Sequence, residues 1–203
     1  MINENENENV FTEKNIIRLI ENPIINTYST IEYGKSMATI NEHYVRFNIN
    51  NYVGSKIMLG DNDYEELKKH NVDVSNNGTG FDSFNINNSK RYQNKFRQVT
   101  GKMPYSKQLH FENTRRHSKK NNNSSSNSGH VVYSINEFDY VIFTICHIVN
   151  GVRPNYKEWS FSLIPIEKLE DPNNIGYCLP QIPSILVKEY FISNIDELCK
   201  KFK

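Results

Sequence analysis

Cysteine is scarce in this chain. Cys146, Cys178 and Cys199 are odd in number, far apart and without a C-x-x-C pair, so neither a disulfide framework nor a zinc ribbon is suggested, and a reducing, cytoplasmic setting fits. Long apolar runs are also missing. Nothing approaches the roughly 18 to 20 residues of a membrane span, and residues 1–9 are acidic and polar where a signal peptide is basic and then apolar. The expectation is a soluble, unexported protein with no membrane partner. No G-x-S-x-G elbow supports a serine hydrolase, and GTGFD at 78–82 is too short for a phosphate loop and runs into a strand. His110, His117 and His130 match no zinc-ligand spacing. Tryptophan occurs once, and Trp159 lies in an apolar strand, where it reads as core rather than as a stacking platform.

What is present is asparagine, aromatic residues and one block of positive charge. The 203 residues suit a single domain over 10–203, preceded by a disordered leader at 1–9. Apolar residues make up only 37%, but 12 Tyr and 11 Phe point to an aromatic-rich core between polar loops. Asparagine-rich runs at the start (NENENEN) and at 121–129 (NNNSSSNSG) read as leader and loop. Between residues 89 and 120 stand Lys90, Arg91, Lys95, Arg97, Lys102, Lys107, Arg115, Arg116, Lys119 and Lys120 against a single acid, Glu112. That segment carries +9, so the rest of the chain carries −8 to reach the net +1. A concentrated basic block on an otherwise acidic protein is the footprint of a polyanion binder. Phosphate contact is the safer role for the group, since base reading depends on docking geometry.

Periodicity predicts a short helix in FTEKNIIRLIEN ended by Pro23, a longer amphipathic helix over KSMATINEHYVRFNI and a third over DNDYEELKKHNV. Strands begin with a hairpin, GFDSFNI and RYQNKFRQV, around a turn at 87–89. Residues 101–130 lack sustained periodicity and read as a long basic loop, with a short strand or turn at LHFEN. FDYVIFTICHIV reads as a fully buried central strand and WSFSLIPI as another, while the tail from residue 183 begins extended or irregular and ends as a helix. The fold class is α/β, a sheet flanked by helices.

Within the hairpin, alternation places Arg91, Gln93, Lys95 and Arg97 on one face of a strand and Tyr92, Asn94, Phe96 and Gln98 on the other. Asp82, on the partner arm, can reach Gln93 and Lys95 at a sheet edge. A carboxylate and a carbonyl oxygen suit Mg²⁺, and a neighbouring ammonium can hold a water and stabilise charge on a phosphate. In this pattern the stretch resembles the PD-(D/E)xK, or restriction-endonuclease-like, nuclease superfamily, with Asp82, Gln93 and Lys95 in the motif positions. INEHYV looks like that family's first-helix segment, with Glu42 as its glutamate, and EFDYVIFTI like the buried strand after the catalytic pair. Two residues depart from the usual pattern: Gln93 stands in place of an acid and Phe81 in place of the proline.

The resemblance implies a mixed central sheet and a Mg²⁺-dependent endonuclease acting on double-stranded DNA, a type II restriction enzyme working as a homodimer. It implies Asp82, Gln93 and the backbone carbonyl of Asn94 as metal ligands, Lys95 as the residue placing the attacking water and Glu42 as a second-rank ligand. Two alternatives stay open: a non-catalytic nucleic-acid-binding protein of the same fold, which the neutral Gln93 favours, and a structure-specific repair or transposon-type nuclease.

Overall fold

The computed structural model describes residues 13–49, 52–54, 67–72, 81–100, 111–112, 114–116 and 130–202. The leader at 1–9, most of the helix expected over 61–72 and most of the basic loop at 101–130 lie outside them.

Helix α1 (Glu13–Ile20) stops before Pro23, but Pro23 also opens a second short helix, α2 (Pro23–Thr27). A proline lacks only a donor that the first helical turn leaves unused, and the Asn22 side chain caps the turn by accepting from the Ile24 N–H at 2.9 Å. The long helix α3 runs over Thr30–Asn48, starting five residues ahead of the segment the periodicity marks. Its start is a reciprocal cap: Ser29 Oγ accepts from the Glu32 N–H, and the Glu32 carboxylate accepts from the Ser29 N–H.

Six strands form one sheet: β1 (Tyr52–Gly54), β2 (Ser83–Asn85), β3 (Lys90–Thr100), β7 (Tyr140–Ile148), β8 (Ser160–Pro165) and β10 (Phe191–Ile192), in that spatial order. β3 and β7 are parallel, and every other pair is antiparallel. The hairpin expected at a sheet edge is therefore internal, because β1 adds outside β2 and three strands add beyond β3. Two ribbons stand apart from this sheet, β4 (Phe111–Glu112) with β9 (Gln181–Ile182), and β5 (Thr114–Arg116) with β6 (His130–Val132). The tail holds two short helices, α4 (Ser184–Glu189) and α5 (Ile195–Lys200), on either side of β10, where an extended start is expected from sequence.

β7 is buried on both faces, and its side chains divide the core in two. Ile142 and Cys146 face a layer made by α1, α2, α3 and α5, with Ile16, Ile20, Ile25, Met37, Tyr44 and Leu198 packed on Tyr92 and Trp159. Val141, Phe143 and Ile145 face a second layer containing Phe81, Phe84, Tyr133, Phe138, Ile182 and Val187. The protein is a mixed α/β fold, a central sheet with helices against both faces, an architecture compatible with the restriction-endonuclease-like fold. Among the described residues, no helix is long and apolar enough to cross a membrane.

Candidate functional site

The turn of the hairpin, at 86–89, is built by asparagine. Asn85 Oδ1 accepts from the N–H groups of Asn87 (3.0 Å) and Asn88 (3.3 Å), and Asn88 Oδ1 accepts from the Lys90 N–H at 3.0 Å. Asn88 Nδ2 donates to the Tyr92 hydroxyl at 3.0 Å. Burial pushes the Tyr92 phenol up to about 12, and that bond from Asn88 partly opposes the shift. These contacts fix the register in which Ser83 pairs with Tyr92, so that Asp82 falls beside Gln93.

Asp82 sits just before β2 and is buried at 6% exposure, as is Gln93. Its N–H donates to the Tyr92 carbonyl at 2.8 Å. One carboxylate oxygen, Oδ2, accepts from the Asn94 N–H at 2.8 Å and from the Gln93 side-chain amide nitrogen. The carboxylate thus takes the place of a ladder acceptor where the short strand β2 gives out. Backbone polarity follows from the neighbours. The Arg91 carbonyl accepts from the Asp139 N–H, toward β7, so alternation turns the carbonyls of Tyr92 and Asn94 the other way, toward Asp82.

Gln93 and Lys95 lie on the face that packs with Val141 and Phe143, their register partners in β7. Asn94 lies on the opposite face, where its amide donates to Ser83 Oγ at 3.1 Å. Lys95 is half-buried, and its Nζ lies 3.4 Å from the Tyr133 hydroxyl and 5.0 Å from the centre of that ring. Asp82, Gln93 and Lys95 therefore share one face of two adjacent internal strands.

Glu42 is half-buried on α3, whose buried residues pack on the Tyr92 and Phe96 face of β3. Of the expected DNA contacts, Arg97 is exposed, while Arg115 and Arg116 lie in β5. Lys102, Lys107, Lys119 and Lys120 lie outside the described residues. Lys90 and Arg91 are engaged by an acid that the sequence reading did not single out. Asp139 Oδ2 accepts from the Arg91 N–H (2.8 Å) and Nε (3.2 Å), Asp139 Oδ1 lies 3.5 Å from Lys90 Nζ, and Arg91 Nη1 donates to the Asn136 carbonyl at 2.6 Å. The signal was an acid immediately ahead of the buried strand, placed there to clamp the start of the parallel β3–β7 pair. Asp139→Ala removes a partly buried acceptor from a charged donor and a backbone donor together. It is expected to cost about 2 kcal/mol, read as a lower urea midpoint at unchanged slope; an unchanged midpoint would mean the clamp contributes nothing.

Mg²⁺ keeps several of its own waters and asks the protein for few oxygens. Asp82 supplies a carboxylate, Asn94 a main-chain carbonyl on the same side of β3, and Gln93 an amide oxygen once its amide is turned, since its nitrogen now faces Asp82. This set fits a weakly held, largely hydrated Mg²⁺. Among the described residues, no group of three or more His, Cys, Asp or Glu gathers to hold a metal by protein charge alone. Tested against known proteins, the chain matches no family model and no curated protein, which leaves the geometry of this hairpin as the guide to function.

Proposed function

We propose that the protein is a Mg²⁺-dependent endodeoxyribonuclease of the restriction-endonuclease-like kind, a type II restriction enzyme that acts on double-stranded DNA as a homodimer. The observation that carries this reading is the shared face of Asp82, Gln93 and Lys95 on two adjacent internal strands. The block of ten basic residues against one acid over 89–120 supports a polyanion as partner.

Asp82, Gln93 through Oε1 and the Asn94 carbonyl would hold the ion. A bound Mg²⁺ lowers the pKa of its water and neutralises charge on a phosphoryl oxygen. The chain's own residues do the rest. Asp82 is buried, and a charge in such a medium interacts more strongly than it does in water. The Lys95 ammonium holds the attacking water in line with phosphorus and stabilises the charge that develops there. A two-fold dimer would present two such hairpins to the two strands of a palindrome.

A binding protein without cleavage is the second reading. It is favoured by the bond from Gln93 to Asp82, which satisfies the carboxylate within the protein itself. Supercoiled plasmid incubated with the protein separates the two. The nuclease nicks it with Mg²⁺ but not with EDTA, and Lys95→Ala lowers that rate on the order of a hundredfold or more. Salt-sensitive retention of the plasmid with no Mg²⁺-dependent nick would instead establish the binder.

A further inference from the structure

A lysine carries its charge at the end of a flexible four-carbon stem, so where the ammonium rests depends on what the fold sets around it. We infer that Tyr133 is a positioning residue, which holds the Lys95 ammonium in one place for attack on a DNA phosphate; the inference rests on the nuclease reading given above. Two contacts meet on one side chain: the Tyr133 hydroxyl accepts from Lys95 Nζ at 3.4 Å, and the centre of its ring lies 5.0 Å from the same nitrogen. Tyr133 is itself held. It is 6% exposed, its ring stands edge-on to Phe138 at 5.4 Å, and its carbonyl accepts from the Cys178 N–H at 2.8 Å. A buried ring fixed at both its backbone and its edge is a rigid rest for a mobile ammonium.

Its place in the chain bears on substrate as well. Tyr133 directly follows β6, whose last residue Val132 pairs with Thr114 of the strand carrying Arg115 and Arg116. The root of that ribbon and the partner of Lys95 are thus one continuous segment.

The test uses the full chain with supercoiled plasmid and Mg²⁺ under single-turnover conditions, together with NMR of the lysine Cε–Hε groups, the Lys95 signal being the one lost in Lys95→Met. Tyr133→Phe keeps the ring and loses the hydroxyl. Its nicking rate is expected to fall about tenfold with the half-saturating DNA concentration unchanged, and the ring-shifted Lys95 signal persists. Tyr133→Leu loses both contacts, the rate falls about a hundredfold, and the signal moves to the position of an exposed lysine. Trp159 fluorescence reports that each variant is folded. Wild-type nicking rates in both variants, or a Lys95 signal that Tyr133→Leu leaves in place, would overturn the role of Tyr133 and leave the nuclease reading standing. A wild-type protein that leaves plasmid intact with Mg²⁺ while its Lys95 signal is ring-shifted would overturn the nuclease reading and the catalytic purpose of the contact, though the contact itself would survive.

Discussion

Asp82→Asn is expected to lose Mg²⁺-dependent nicking on the order of a thousandfold while the protein keeps its fold. The substitution is chosen for what it preserves. Asn at this position can place its one oxygen where Oδ2 stands, and there it still accepts from both the Asn94 N–H and the Gln93 amide. Alanine would instead leave two buried donors without an acceptor and confuse lost chemistry with lost stability. With the hydrogen bonds conserved, the urea midpoint should move by no more than about 1 kcal/mol, so the fall in rate reports the missing negative charge. The same variant separates the two functional readings in a second way. In a binder, the change removes a buried negative charge from beneath the DNA-attracting surface, so retention of plasmid should tighten or stay the same. Nicking at the wild-type rate by Asp82→Asn would remove the carboxylate from the mechanism altogether.

The parts of this arrangement that are local were legible in the sequence. Asp82 and Gln93 are eleven residues apart across a tight turn, and alternation alone sorts Gln93 and Lys95 onto one face and Tyr92 and Phe96 onto the other. β7 announces itself as the apolar run VIFTIC, and in the fold those six residues, Val141 through Cys146, are all buried, as suits a strand covered on both faces. The start of α3 was also written in the chain, as the S-T-I-E capping box at residues 29–32, which carries no hydrophobic period and so was passed over.

What escaped is non-local. Which face of the sheet α3 covers is one such choice, and nothing in the helix encodes it. Asp139 and Tyr133 meet Arg91 and Lys95 across 48 and 38 residues of chain, distances over which a single sequence has no period to follow. Lys90 and Arg91, which read as phosphate contacts by charge, also meet Asp139 where β3 joins β7.

Trp159→Ala is expected to cost about 3–5 kcal/mol, a large part of the roughly 5–15 kcal/mol that holds a domain of this size together. Trp159 is wholly buried just before β8, and two elements meet on its ring: Tyr44 of α3 stands edge-on at 5.6 Å and Phe96 of β3 edge-on at 5.3 Å, while Tyr156 packs in turn on Tyr44 at 5.4 Å. Removing the indole opens a cavity among rings that are held from several sides and cannot collapse to fill it, and it forfeits two aromatic contacts beyond the area term. Trp159→Phe keeps a ring in place and should cost much less, about 1–2 kcal/mol. Because Trp159 is the only tryptophan, its own fluorescence follows unfolding of the wild type, and far-UV circular dichroism must follow the variants. The consequence reaches the hairpin, since Phe96 adjoins Lys95 on the opposite face of β3, and a strand loosened beneath Phe96 no longer holds Lys95 above it. Nicking by Trp159→Ala should therefore fall with the folded fraction as urea is added, in step with the dichroism, whereas Asp82→Asn loses activity with the fold intact. If Trp159→Ala unfolds at the wild-type urea concentration, the aromatic cluster is not what sets the stability of β3.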